Sequence, residues 1–514
     1  MALNPIIPMD CPDPDVIRVG DIYYMASTTM HFFPGCAILR SFDLANWEII
    51  GHVFDSLDET PGEKMERDAT IYAKGMWAPS LRYHDGYFYI AFYSASSKKT
   101  YLFTSTNIEG EWEKKEIEGS FYDCSLLFDE DKVYIVYGHK DIFISELKSD
   151  LSGLKTGGLH RKIISENEDV IVPYEGSHAY KIGNRYYIFL IHWPKAGKRV
   201  ECCFVSDSIE GEFKGGVVLD DDRNYFGQGV AQGGIVESLS GKWYSVLFQD
   251  SGAVGRMPIL VPIAFDENGF PVFGVNGKVP EKYEITGSRP YYSYEPLYTS
   301  DFFDNNIQTD DEKHPALKKQ WEWNHVSDSD LWEKAGDRAI KMRTGRIATN
   351  LPHAANTLTQ RTMWPRCDAE VSIDGKDMQN GDVAGLCVLQ GNYGYLALAK
   401  EAGVYYLIKV TKTVPENYRN GSSDYLPGKE ELRIRLNDSK VTVRLTADFD
   451  KMEDSMNFYY IKNDRFTKVG EPHKLVFKLD HFTGARFGIF MYSTQRLGGT
   501  AVFENFGYKY YGVD

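Results

Sequence analysis

A short apolar strand, a turn built on Gly, Asp or Asn, and an aromatic pair opening a second strand recur five times in the first half of this chain. The copies are residues 16–24, 81–89, 126–134, 179–187 and 235–244. Each reads as a β-hairpin, because the polar turn residues accept the backbone angles a tight reversal needs. The equivalent tyrosines, Tyr24, Tyr89, Tyr134, Tyr187 and Tyr244, lie 65, 45, 53 and 57 residues apart. That loose period is in the range of propeller blades, so five hairpins predict a five-bladed β-propeller. A second element, at residues 41–47, 105–112 and 206–213, ends in Trp47, Trp112 and Phe213, aromatics suited to packing between blades. No long segment places apolar residues at helical spacing, so the fold class is all-β.

The repeat stops near Tyr291, and residues 301–314 are acidic and polar. The expected organisation is a propeller over 1–305, a linker over 306–319 and a β-sandwich over 320–514. Alternating runs at 369–373, 432–436, 441–445 and 475–479 carry the sandwich reading, since period-two alternation marks sheets with one buried face. Such a domain is either a sugar-binding module or a buttress.

Composition removes several function classes. Of 514 residues, 73 are acidic and 57 basic, with a net charge of −16 and no basic block, so no nucleic-acid partner is expected. No run of about 18 apolar residues occurs, so no membrane partner is expected either. The amino terminus lacks a basic segment followed by an apolar one, and the seven cysteines are odd in number and scattered. Reduced thiols and a cytoplasmic location are the expectation. Zinc, P-loop and dinucleotide signatures are missing, so no metal ligands are assigned.

Three carboxylates stand out by position. Asp13 lies between Pro12 and Pro14 at the mouth of the first hairpin, where the prolines predict an extended, restricted backbone. Asp123 precedes the third hairpin and Glu175 the fourth. In a propeller the innermost strands begin at one end of the central channel, so the three would converge there. Clustered carboxylates in a dry pocket raise at least one pKa and leave an acid beside a base at neutral pH. The bland reading of Pro-Asp-Pro is a stiff turn.

The amino-terminal 300 residues resemble glycoside hydrolase family 43, in the branch of β-xylosidases and α-L-arabinofuranosidases that carry a carboxy-terminal sandwich. The resemblance rests on Asn4-Pro5-Ile6, Pro12-Asp13-Pro14, Phe33-Pro34-Gly35, Asn46-Trp47, Trp77-Ala78-Pro79-Ser80, Tyr122-Asp123, Glu175-Gly176-Ser177-His178 and Gly255-Arg256, in that order. Residues 321–324 and 356–361 extend it into a concanavalin-like jelly roll. It implies an inverting mechanism with Asp13 as general base, Glu175 as general acid and Asp123 as the residue that tunes and orients the acid. It also implies that Arg256 contacts the buried sugar and that Trp77 walls the pocket. His31 and Phe33, with Phe32, would line its rim, and Gln232 would face substrate where many members have histidine. His178 has a family counterpart but reads first as a buried hydrogen-bonded residue, and His192-Trp193-Pro194 would form a loop at the leaving-group side. The amide of Gln232 suits a water or a structural Ca²⁺ at the propeller centre, and hydrolysis itself requires no cofactor. A loop over 492–499 is expected to reach the substrate.

The function so implied is exo-acting removal of terminal α-L-arabinofuranosyl or β-D-xylosyl units from hemicellulose oligosaccharides. An endo-arabinanase on the same propeller and a non-catalytic carbohydrate-binding protein are the alternatives. A small oligosaccharide is the expected partner.

Overall fold

The computed structural model describes residues 2–67, 69–303, 313–314, 316–336, 338–415, 425–478 and 482–512. Five four-stranded antiparallel sheets follow one another along the chain. Blade one comprises Asp15–Val19, Ile22–Ser27, Gly35–Ser41 and Glu48–Phe54. The innermost strands of blades two to five are Met76–His84, Ser125–Asp129, Val170–Ile182 and Val230–Glu237. The five hairpins read from the sequence are the first two strands of the five blades. Their reversals need positive φ, supplied by Gly20, Gly86, Gly183 and Gly241, while Glu130 takes φ 54° in the third.

A recurring hydrogen bond joins neighbouring blades. The backbone N–H of Leu81 donates to Asp15, that of Leu126 to Ser80 Oγ, that of Ala179 to Ser125 Oγ and that of Ile235 to the Tyr180 hydroxyl. The ring closes at Gly234, whose N–H donates to the Pro14 carbonyl at 3.0 Å. At the axis Arg82 donates to Asp15 at 2.6 Å, to Ser125 Oγ and to the Ala179 carbonyl, so one guanidinium ties four blades. Ala2–Leu3 pairs with Lys282–Tyr283, and Asn4 donates to the Leu260 and Pro280 carbonyls, fastening the amino terminus to blade five.

The carboxy-terminal region is a sandwich of two large antiparallel sheets. One of them does not end within its own domain. Its edge strand Glu322–Asn324 pairs with Phe32–Phe33, which leaves blade one between that blade's second and third strands. An edge that would otherwise present open N–H and C=O groups is thereby covered by the propeller. One apolar core crosses the boundary, with Ile7, Met9, Val254 and Met257 packed together with Phe487 and Tyr508. Within it Glu322 is buried between Arg361 and Arg486, with His52 of the propeller 3.2 Å away. Burial opposes ionisation of Glu322, but the two guanidinium charges win and hold its carboxyl below the usual range. Such a pair is costly to break from one side, because the partner charges stay buried.

The run 475–479 is not a strand. Leu475 N–H donates to the Asp454 carbonyl and Val476 N–H to the side chain of Gln390, so its backbone is satisfied without a ladder; residue 479 lies outside the described residues. Of the expected linker 306–319, residues 306–312 and 315 lie outside them too. All seven cysteines are buried and free.

Candidate active site

Each innermost strand enters the channel through a residue with positive φ: Asp13 (51°), Ala78 (32°), Asp123 (46°), Gly176 (65°) and Gln232 (58°). Three of these coincide with register shifts, at residues 77–80, 175–178 and 231–233. Left-handed non-glycine backbone costs about 1–3 kcal/mol per residue and persists only where surroundings enforce it. Bulges of this kind re-aim side chains, here toward the channel mouth.

Asp13 is therefore not extended, as its prolines had suggested. The carbonyl of Pro12 accepts from Thr28 N–H and Ser27 Oγ, and that of Pro14 from Gly234 N–H, so blades one and five clamp both flanking peptides. Asp13 Oδ1 accepts from Arg256 Nη1 at 2.6 Å and Oδ2 from Thr28 Oγ1 at 2.7 Å. Glu175 does not precede its strand either; it lies inside the bulged Val170–Ile182. Asp123 accepts from the N–H of Gly176 at 3.1 Å, which holds it beside the peptide that follows Glu175.

These groups line one cavity of about 290 Å³, together with Trp77, Tyr122, His139, Arg199, Gln232, Arg256 and Phe482. Residues 171–173 and Ile191 add an apolar wall. Burial raises the Asp123 carboxyl well above the usual range, and the charges of Glu175 and Asp13 add to the effect. Burial likewise raises the Tyr122 phenol, whose hydroxyl donates to Glu175 Oε2 at 3.3 Å. His139 Nδ1 lies 2.7 Å from the same oxygen, and that bond raises the imidazole pKa. Burial thus favours the protonated form of Asp123, while Asp13 faces a fixed guanidinium.

Trp77, Gln232 and Arg256 line the cavity. His31 and Phe33 do not line it. His31 is buried between Phe32 and Tyr72, with ring centroids 4.3 and 4.4 Å away, and Phe33 pairs with Trp323 of the sandwich. Strand pairing with the second domain turns this segment away from the cavity. His178 lies below the cavity, 3.3 Å from Asp15. Residues 192–194 belong to the strand Arg185–Pro194 rather than to a loop, and His192 Nε2 lies 2.8 Å from a Glu166 carboxylate oxygen. The sandwich reaches the cavity through Phe482, not through residues 492–499, where Tyr492 is instead bound to Tyr395.

The axis does not fit a calcium ion. Asp15 is the carboxylate there, and Arg82, His178, Tyr180 and the Leu81 N–H already take its oxygens. Despite burial, Arg82 and His178 hold its pKa down to about 2. Gln232 meets no ion-like cage: its N–H donates to the buried Glu201 at 2.6 Å. Among the described residues no group of three His, Cys, Asp or Glu side chains could hold a metal.

Sequence reasoning gave no role to Tyr122, His139, Arg199, Asp250 or Phe482. Asp250 ends the second strand of the fifth hairpin, at the same end as Gln232, which was a usable signal. Gly197-Lys198-Arg199 reads locally as a basic surface loop, and Phe482 has no local signal at all.

A propeller that gathers three carboxylates and an arginine in one small cavity holds the groups that glycosidases working through paired carboxylates need. Residues 2–271 match glycosyl hydrolases family 43, and residues 309–509 match the beta xylosidase C-terminal concanavalin A-like domain. The chain belongs to glycosyl hydrolases family 43 and carries that family's sandwich domain. It is 26% identical to a beta-xylosidase of Formosa agariphila, over 99% of this chain and 90% of the relative. It is 25% identical to the non-reducing end alpha-L-arabinofuranosidase BoGH43B of Bacteroides ovatus, over 85% of this chain and 83% of the relative. Among solved structures, the bifunctional GH43-CE of Bacteroides eggerthii superposes with a TM-score of 0.89 at 36% identity. That match covers 99% of this chain, which spans only 63% of that longer one.

Proposed function

We propose that this chain is an exo-acting, inverting glycosidase that removes terminal α-L-arabinofuranosyl or β-D-xylosyl units from short hemicellulose oligosaccharides in the cytoplasm. The observation that carries the reading is the convergence of Asp13, Asp123 and Glu175 with Arg256 on a cavity partly walled by Phe482 of the second domain. An endo-acting enzyme needs an open cleft for a continuing chain, and the Phe482 wall argues against one.

In this reading Asp13 removes a proton from water as the oxygen attacks the anomeric carbon. Its two oxygens each accept one hydrogen bond, from Arg256 and Thr28, and an ionised carboxylate has lone pairs left for the water. Glu175 donates its proton to the leaving oxygen, and the apolar residues 171–173 beside it suit the departing sugar. Asp123, held against the Gly176 N–H beside Glu175, tunes and orients the acid. The Formosa and Bacteroides relatives support both sugars as substrates, since one is a beta-xylosidase and the other an alpha-L-arabinofuranosidase.

The test is the anomeric configuration of the first product, read by proton NMR on aryl α-L-arabinofuranoside and aryl β-D-xyloside side by side. Inversion on at least one substrate is expected; net retention at early time requires a covalent nucleophile and excludes these roles.

A further inference from the structure

Arg199 lines the cavity, and the mechanism above leaves it unused. It immediately precedes the strand Val200–Ser206 of blade four, and its side chain is only 3% exposed. Its backbone packs closely against Gly229, where an added Cβ would stand 1.9 Å from the Arg199 carbonyl oxygen. The guanidinium pairs with Asp250 Oδ2 and packs over Trp193 at 4.8 Å and Phe248 at 5.6 Å. Asp250 Oδ1 accepts from Arg256 Nε at 3.3 Å, so a chain of ion pairs runs through Asp13, Arg256, Asp250 and Arg199.

A guanidinium carries five N–H donors in a fixed fork. Beyond Asp250, Arg199 has no acceptor among the described residues, yet it lines the cavity. Donors buried this deeply are normally satisfied, and a ligand hydroxyl is the group that fits. An anionic sugar is a poorer match, because Asp250 and Asp13 already oppose the two guanidinium charges while Glu175 faces the same space.

We infer that Arg199 is a specificity-determining residue that donates hydrogen bonds to a hydroxyl of the neutral pentose in the cavity, an inference that rests on the glycosidase reading. Sites built to bond a hydroxyl reject analogues that lack it far more strongly than apolar walls do. Arg199 would therefore select which ring hydroxyl must be present.

The test combines Arg199→Met and Arg199→Lys with monodeoxy substrates, using the full chain. Asp250 keeps Arg256 as partner in both variants, and thermal melting checks that each is folded. Arg199→Met is expected to lower kcat/KM on the parent aryl pentoside about 10- to 100-fold. On one monodeoxy analogue the same substitution should cost no more than about threefold, because the bond is already missing. Calorimetric affinity for free D-xylose or L-arabinose should fall in parallel, with Arg199→Lys intermediate. Equal losses on every analogue, or unchanged pentose affinity, would overturn the inference, as would a wild type that binds no pentose. If the wild type binds pentose through Arg199 yet hydrolyses neither glycoside, the inference stands and the proposed activity falls.

Discussion

Phe482 of the sandwich packs against Arg256 of the propeller, with the guanidinium carbon 4.3 Å from the ring centroid, while Phe248 packs against the same group at 4.2 Å. The fork that holds Asp13 is thus clamped by rings from both domains. The second domain thus contributes a wall of the site.

Phe482→Ala should loosen that clamp and open the cavity wall. A cation–π contact removed from a partly dry site is worth up to about 2 kcal/mol, so kcat/KM should fall about 10- to 30-fold, mostly through KM. Steady-state kinetics on the aryl glycosides read this directly. A variant with wild-type kinetics would show that the ring is mere interdomain filler.

Glu175, as the proposed acid, matters most when the departing oxygen is a poor leaving group. Glu175→Gln should lose about 10²- to 10⁴-fold on disaccharides and less than about tenfold on dinitrophenyl glycosides. Asp13→Asn should damage both alike, since water must be activated in each. Equal losses for Glu175→Gln on both substrate types would count against its role.

The five blades were legible because hairpin turns, apolar strands and paired aromatics are local signals. So was the grouping of Asp13, Asp123 and Glu175, once the blades were aligned and the family motifs read. The backbone of Asp13 was not, since flanking prolines favour extended φ/ψ and only the clamps on Pro12 and Pro14 override them. His31 and Phe33 were misplaced for a related reason: their text is local, but pairing with Glu322–Asn324, far along the chain, decides which way they face. Phe482 and Arg199 depend wholly on tertiary placement, and no periodicity marks them.

Asp123 should trade activity for stability. Burial, with the charges of Glu175 and Asp13, raises its folded pKa above its unfolded value. The stability this contributes is fully present below the unfolded carboxylate pKa and is lost as pH rises through the folded one. Asparagine cannot ionise and keeps an oxygen for the Gly176 N–H. Asp123→Asn should therefore melt at least about 1 °C above wild type at pH 8, match it near pH 4, and hydrolyse poorly at both. Parallel melting curves across this range would show that Asp123 carries no such strain.

Asp10 gives the domain junction its own pH dependence. It is buried, with Oδ1 accepting from the Arg256 N–H at 2.7 Å and Oδ2 from the Gly484 N–H at 2.9 Å, two residues beyond Phe482. Burial outweighs these bonds and raises its pKa to about 6 from 3.8. Its contribution is full below the unfolded value and declines as pH rises through about 6. The difference corresponds to about 3 kcal/mol between pH 3 and pH 8, from roughly 1.4 kcal/mol per unit. Asp10→Asn has one acceptor oxygen for two N–H groups, so it should be less stable at low pH and should lack this decline. Urea unfolding of both proteins from pH 4 to 8 compares the slopes: the wild type should lose more stability than the variant over that range, and identical slopes would remove Asp10 from the pH response.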